Sequence, residues 1–119
     1  MSGPFQVVRD FERELCRYTG AKFAVTTTSC TTAILLACAW FRRTAGPQVI
    51  SIPKRTYIGV PMSIIHAGHS VTFRDENWVG QYHLDPLPVW DAARRFTSGM
   101  YPPMEFQCVS FHWRKILGV

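Results

Sequence analysis

Two charged side chains each close an apolar run: Lys115 ends SFHWRK, and Asp91 follows LPVW. A lysine amine in an apolar setting has a lowered pKa and becomes a nucleophile toward carbonyl groups. A carboxylate after a buried run either caps a following helix, here AARRF, or partners a buried cation. TSCTT, residues 28–32, offers hydroxyls at a helix start, where backbone N–H groups and the positive dipole end suit a phosphate. Ser29 and Thr31 are also ordinary helix caps. Tyr57 can serve as core or as an aromatic platform, and Lys115 as a solvated lysine. His66 and His69 share a His-x-x-His spacing, but no further ligand cluster follows them, so a metal site is not expected.

The elements that would position these groups alternate. FQVVRDFERELCRYTG places Val8, Phe11, Leu15 and Tyr18 at helical spacing, with Gly20 as a stop. KFAVTTT reads as a strand and TSCTTAILLACAWFRR as a helix apolar almost all round, hence buried. QVISIP reads as a short strand ended by Pro53. YIGVPMSIIHAG reads as a helix with Pro61 in its first turn, where proline is tolerated. HSVTFRD, LPVWD and FQCVSF read as strands, AARRF as one or two helical turns, and DENWVGQYHLDP as irregular. Strands alternating with helices predict an α/β layer fold with a mainly parallel sheet flanked by helices. Ligands in such sheets sit at the carboxyl ends of the strands. TSCTT, Thr56-Tyr57, Asp91, and Ser110 with Lys115 all fall there.

Composition narrows the function classes. The 119 residues suffice for one domain, and with 47% apolar residues a packed core is expected. The longest apolar run, residues 33–41, is too short to span a bilayer. MSGPFQVVRD lacks a signal-peptide layout, so a soluble cytoplasmic protein is expected. Cys16, Cys30, Cys38 and Cys108 form no CxxC pair and read as reduced, packed thiols. The net charge of +5 is scattered over Arg9, Arg13, Arg42, Arg43, Arg94, Arg95 and Arg114 rather than gathered in a stripe, so no nucleic-acid partner is expected. No GxxxxGK is present, so a nucleotide P-loop is not supported.

A lysine amine, a carboxylate, a phosphate cradle and an aromatic face are together what pyridoxal 5'-phosphate requires. At these residues the chain resembles the cofactor-binding N-terminal part of the DegT/DnrJ/EryC1/StrS family, sugar aminotransferases of the pyridoxal-phosphate fold type I. Five blocks carry the resemblance in order: FERELCRYTGAKFAV, SCTTAI, PKRTYIGVPMSIIHAG, VWDAARRF and SFHWRK. The resemblance implies that Lys115 is the Schiff-base lysine and proton shuttle. It implies that Asp91 pairs with the pyridine nitrogen and that Tyr57 stacks on the ring. The phosphate would be held by Ser29, the Cys30 and Thr31 backbone, and the Thr31 and Ser110 hydroxyls. It further implies amino transfer from an amino acid, usually glutamate, to a nucleotide-linked keto-sugar, with a homodimer or a complementing chain finishing the pocket.

Three features depart from the family pattern. Cys30 stands where the phosphate turn usually has glycine, and Arg94 where His or Gln usually approaches the ring hydroxyl. The span from Thr56 to Asp91 is short by one strand–helix unit, with ENWVGQYHLDP bridging the gap. Residues 1–119 therefore read as a single, incomplete large domain. The alternatives are an inactive remnant acting as a binding or oligomerisation module, and a generic α/β phosphate binder.

Overall fold

The computed structural model describes residues 3–112. Helix α1 (Gln6–Thr19) ends at Gly20, whose φ of 89° is the left-handed cap conformation that glycine adopts without strain. Helix α2 (Cys30–Ala45) starts at Ser29, whose Oγ accepts the Thr32 N–H at 3.1 Å. Strand β1 (Val49–Pro53) is followed by α3 (Gly59–His66) and β2 (Ser70–Arg74). Then come β3 (Tyr82–His83), β4 (Val89–Ala92) and β5 (Phe106–Val109).

Two small sheets carry the fold. β1 and β2 pair in parallel, with Ile50 opposite Val71 and Ile52 opposite Phe73. β3 pairs antiparallel with β4, which pairs in parallel with β5. The α/β class and the parallel pairs are as expected from the sequence, and β3 adds an antiparallel member inside the stretch read as irregular. The sheets meet at one bridge: Ser51 N–H donates to Asp85 O at 2.7 Å, and Asp85 N–H donates to Ser51 O at 3.1 Å. The Arg74 guanidinium reinforces this seam by donating to Ser51 O and, at 2.8 Å, to His83 O, while pairing with Glu76. The 82–85 segment thus stands between β1 and β4.

The core joins both sheets to the helices. Ile34 and Cys38 of α2, Ile50 and Ile52 of β1, Val60 and Ile64 of α3, and Leu84 and Val89 form one buried cluster. His69 belongs to this packing. Its Nδ1 accepts the Gln48 N–H at 3.0 Å and its Nε2 lies 2.8 Å from Cys38 O, so the ring is a neutral Nε2–H tautomer with both nitrogens used. Among the described residues no group of three or more metal-ligating side chains converges.

Burial pushes the Cys38 thiol up from its ordinary 9.0 to about 11. The unfolded thiol therefore ionises first. The stability this residue contributes is fully present below about pH 9 and is lost as pH rises toward 11, by roughly 2–3 kcal/mol. Urea midpoints at pH 8 and pH 10.5 should diverge less in Cys38→Ala than in the parent. Equal alkaline losses in both proteins would assign the effect to other groups.

Three local expectations need correction. Residues 22–28 form no strand: Phe23 and Val25 are 87% and 79% exposed, and the Thr26 N–H goes to Glu12 Oε2 at 2.8 Å. β-Branched composition yields a strand only where a neighbour supplies the ladder, and no described strand lies alongside. AARRF makes a single turn, with Arg95 N–H on Ala92 O at 3.2 Å, so Asp91 caps no helix. Helix α2 buries Ile34, Ala37 and Cys38 but leaves Leu36 and Trp40 exposed. Its apolar outer face lines a groove of about 1060 Å³, walled opposite by α1, residues 21–28 and β5.

Candidate functional site

Asp91 is the centre of the site. It lies within β4, 6% exposed, because its neighbours Val89 and Ala92 belong to the core and draw the strand inward. Isolated burial of a carboxylate is costly unless donors satisfy it. Oδ1 accepts the Ala93 N–H at 3.0 Å and lies 3.8 Å from the Cys30 Sγ donor. Oδ2 accepts the Tyr82 hydroxyl at 2.5 Å. Burial, then the charge and hydrogen bond of Asp91, push the Tyr82 phenol far above its ordinary value, so it stays an O–H donor.

Asp91, Tyr57 and Arg94 line a cavity of about 680 Å³ together with Arg55, Thr56, Trp78, Tyr82, Ala93 and His112. Ser29, Cys30, Thr31 and Ser110 line the adjoining apolar groove. Tyr57 and His112 border both spaces, so the expected site is divided around them. Tyr57 reaches this place because residue 59 is glycine. A Cβ there would stand 2.5 Å from the Tyr57 ring, closer than packed carbons tolerate, and 3.3 Å from Thr31 Cγ2, a tight contact. Gly59 thus keeps the Tyr57 ring and the start of α2 close together.

Helix α2 starts beside this boundary. Ser29 Oγ accepts from Thr32 N–H, Ser29 O accepts from Ala33 N–H at 3.1 Å, and the Thr28 and Ser29 hydroxyls contact Thr32 Oγ1. Ser29 therefore caps the helix, which is compatible with anion binding at the same turn. Ser110 Oγ accepts the His112 N–H at 3.2 Å. Arg94 is exposed at the cavity rim and Cys30 is half-buried against Asp91. Lys115 falls outside the described residues.

Tyr82 was not singled out by sequence reasoning. It sits in a polar, aromatic stretch without strand periodicity, and only the cross-strand register with Asp91 reveals it. Trp78 was missed for the same reason. Its ring stands edge-on to Tyr82 at 4.8 Å, and its Nε1–H donates to Arg55 O at 2.7 Å, tying the two walls of the cavity together.

Helices packed against two small sheets, with hydroxyls at the start of α2, the Tyr57 ring and the buried carboxylate of Asp91 bordering adjoining spaces, define an α/β protein. The chain belongs to the DegT/DnrJ/EryC1/StrS aminotransferase family, whose model matches residues 2–102. It is 34% identical over 97 residues to the spore coat polysaccharide biosynthesis protein SpsC of Bacillus subtilis (strain 168). That match covers 80% of this chain and 24% of SpsC, so the chain spans about a quarter of the relative's length. No solved structure matches the chain. Among the described residues no helix is long and apolar enough to cross a membrane.

Proposed function

We propose that this chain forms the cofactor-facing part of a pyridoxal phosphate-dependent aminotransferase. Its amino donor would be an amino acid, glutamate first, and its acceptor a nucleotide-linked keto-sugar. Family membership supports amino transfer, and the name of SpsC supports polysaccharide biosynthesis. The observation that carries the cofactor reading is the buried carboxylate of Asp91 on the cavity wall.

The described residues fit this group. A carboxylate offers about four acceptor positions. Among the described residues Ala93, Cys30 and Tyr82 take three, which leaves room for one more donor such as a protonated ring nitrogen. When bound, pyridoxal phosphate supplies an electron sink at the substrate carbon. Asp91 would hold the proton on the ring nitrogen. Tyr57 would cover one ring face, and the start of α2 with the Thr31 and Ser110 hydroxyls would hold the phosphate. Lys115 would carry the cofactor and move the proton at the substrate carbon. Arg94 would approach the ring hydroxyl as a cation, where relatives carry a neutral side chain. Further chain or a second subunit would complete the substrate pocket, and the cytoplasm, where nucleotide sugars are made, suits the reaction.

Incubation of the protein with pyridoxal phosphate, borohydride reduction and peptide mapping should place the label on Lys115, and Lys115→Ala should lose it. Label spread evenly over Lys22 and Lys54 would overturn the reading. A second reading, a non-catalytic binding or oligomerisation module, draws on the open apolar groove with Leu36, Trp40 and Phe23 on its walls. It predicts no specific label and association through that groove.

A further inference from the structure

We propose that Tyr82 is a positioning residue for this site: its phenol fixes the orientation of the Asp91 carboxylate that would hold the ring nitrogen. The inference rests on the pyridoxal phosphate reading above and deepens it. Its starting point is a direct O–H···O contact of 2.5 Å between side chains that are 2% and 6% exposed. That separation is in the range of charge-assisted bonds to a carboxylate, about 2.5–2.7 Å. A buried phenol without this acceptor would lose a hydrogen bond it cannot regain from water.

Several elements hold the phenol in place. Residue 82 stands directly opposite residue 91 in the β3–β4 pair, so the two side chains emerge on one face of the sheet. Trp78 supports the Tyr82 ring edge-on, and Trp78 is itself fixed to the Arg55 carbonyl. The Ser51–Asp85 bridge and Arg74 anchor the other end of the segment. A two-residue strand has little stability of its own, so its position is set by these tertiary contacts. Their joint result is one phenol delivered to one carboxylate oxygen. Burial and the Asp91 charge keep that phenol protonated, so the donor is permanent.

Tyr82→Phe removes the donor and keeps the ring. Site-specific 3-fluorotyrosine at position 82 keeps the shape and makes a stronger donor. In full-length protein, Tyr82→Phe should weaken pyridoxal phosphate retention roughly tenfold and shift the visible band of the bound cofactor. In cofactor-free protein, the isotope-edited carboxylate stretch of Asp91, assigned with Asp91→Asn, should move one way in Tyr82→Phe and the opposite way with 3-fluorotyrosine. A purely structural role would not follow donor strength. Retention within twofold of the parent in folded Tyr82→Phe overturns the proposal, whatever the infrared band does. An infrared band indifferent to both changes overturns it as well. If the parent itself retains no pyridoxal phosphate while the infrared band responds, the cofactor reading fails, and with it the role of Tyr82 toward the ring.

Discussion

On the proposed aminotransferase reading, Asp91→Asn should leave the protein folded and lower amino-transfer turnover roughly 100- to 1,000-fold, the usual cost of losing one preorganised electrostatic partner. The amide keeps an oxygen for the Ala93 N–H or the Tyr82 hydroxyl, so little packing is lost. It carries no charge and cannot stabilise a protonated ring nitrogen. Asp91→Ala goes further. It removes the acceptor of the buried Tyr82 hydroxyl and of the Ala93 N–H, each loss worth about 1–3 kcal/mol, so stability should fall by roughly 2–6 kcal/mol. Single-turnover conversion of the amino donor and urea denaturation separate the two effects. Asp91→Asn turning over like the parent would remove the carboxylate from the chemistry.

Arg74→Met should weaken the join between the two sheets more than any other single surface change. One guanidinium holds Ser51 O, His83 O and Glu76, with the arginine side chain 26% exposed. Losing hydrogen bonds from a charged donor costs about 1.5–3 kcal/mol. Methionine preserves the apolar stem and isolates that loss. Arg74→Lys should rescue little, because an ammonium lacks the planar fork that reaches several acceptors at once. Amide exchange should report the location: the Ser51 and Asp85 N–H groups should exchange faster, while the β1–β2 ladder around Ile50 and Val71 stays protected. Uniform acceleration across both sheets would mean that Arg74 supports the whole fold rather than the seam.

What the sequence revealed and what it hid follow one physical line. Helices α1, α2 and α3 and strands β1, β2, β4 and β5 were legible because each carries its own apolar pattern, several with a stop such as Gly20 or Pro53. Asp91 was recognisable because a charge seldom follows LPVW without a reason. Residues 22–28 misled because KFAVTTT has strand composition, whereas a strand also needs a neighbour. Tyr82 was invisible for the converse reason. Its two-residue strand has no composition signal and exists only through the contacts of Trp78, Arg74 and Ser51 with their distant partners. The division of the site into two spaces around Tyr57 and His112 depends on side-chain placement, which linear spacing does not encode.

The single bridge at Ser51 and Asp85 bears on how such a protein can change over time. Beyond the packing of Leu84 against Ile50 and Ile52, two peptide hydrogen bonds and one arginine join the 82–85 segment to β1. A different strand could therefore occupy that slot, or a longer excursion replace it, without redrawing the flanking sheets. Whatever occupies the slot also chooses which side chain greets the acid on the adjoining strand, so remodelling one connector can retune reactivity while the scaffold is inherited intact.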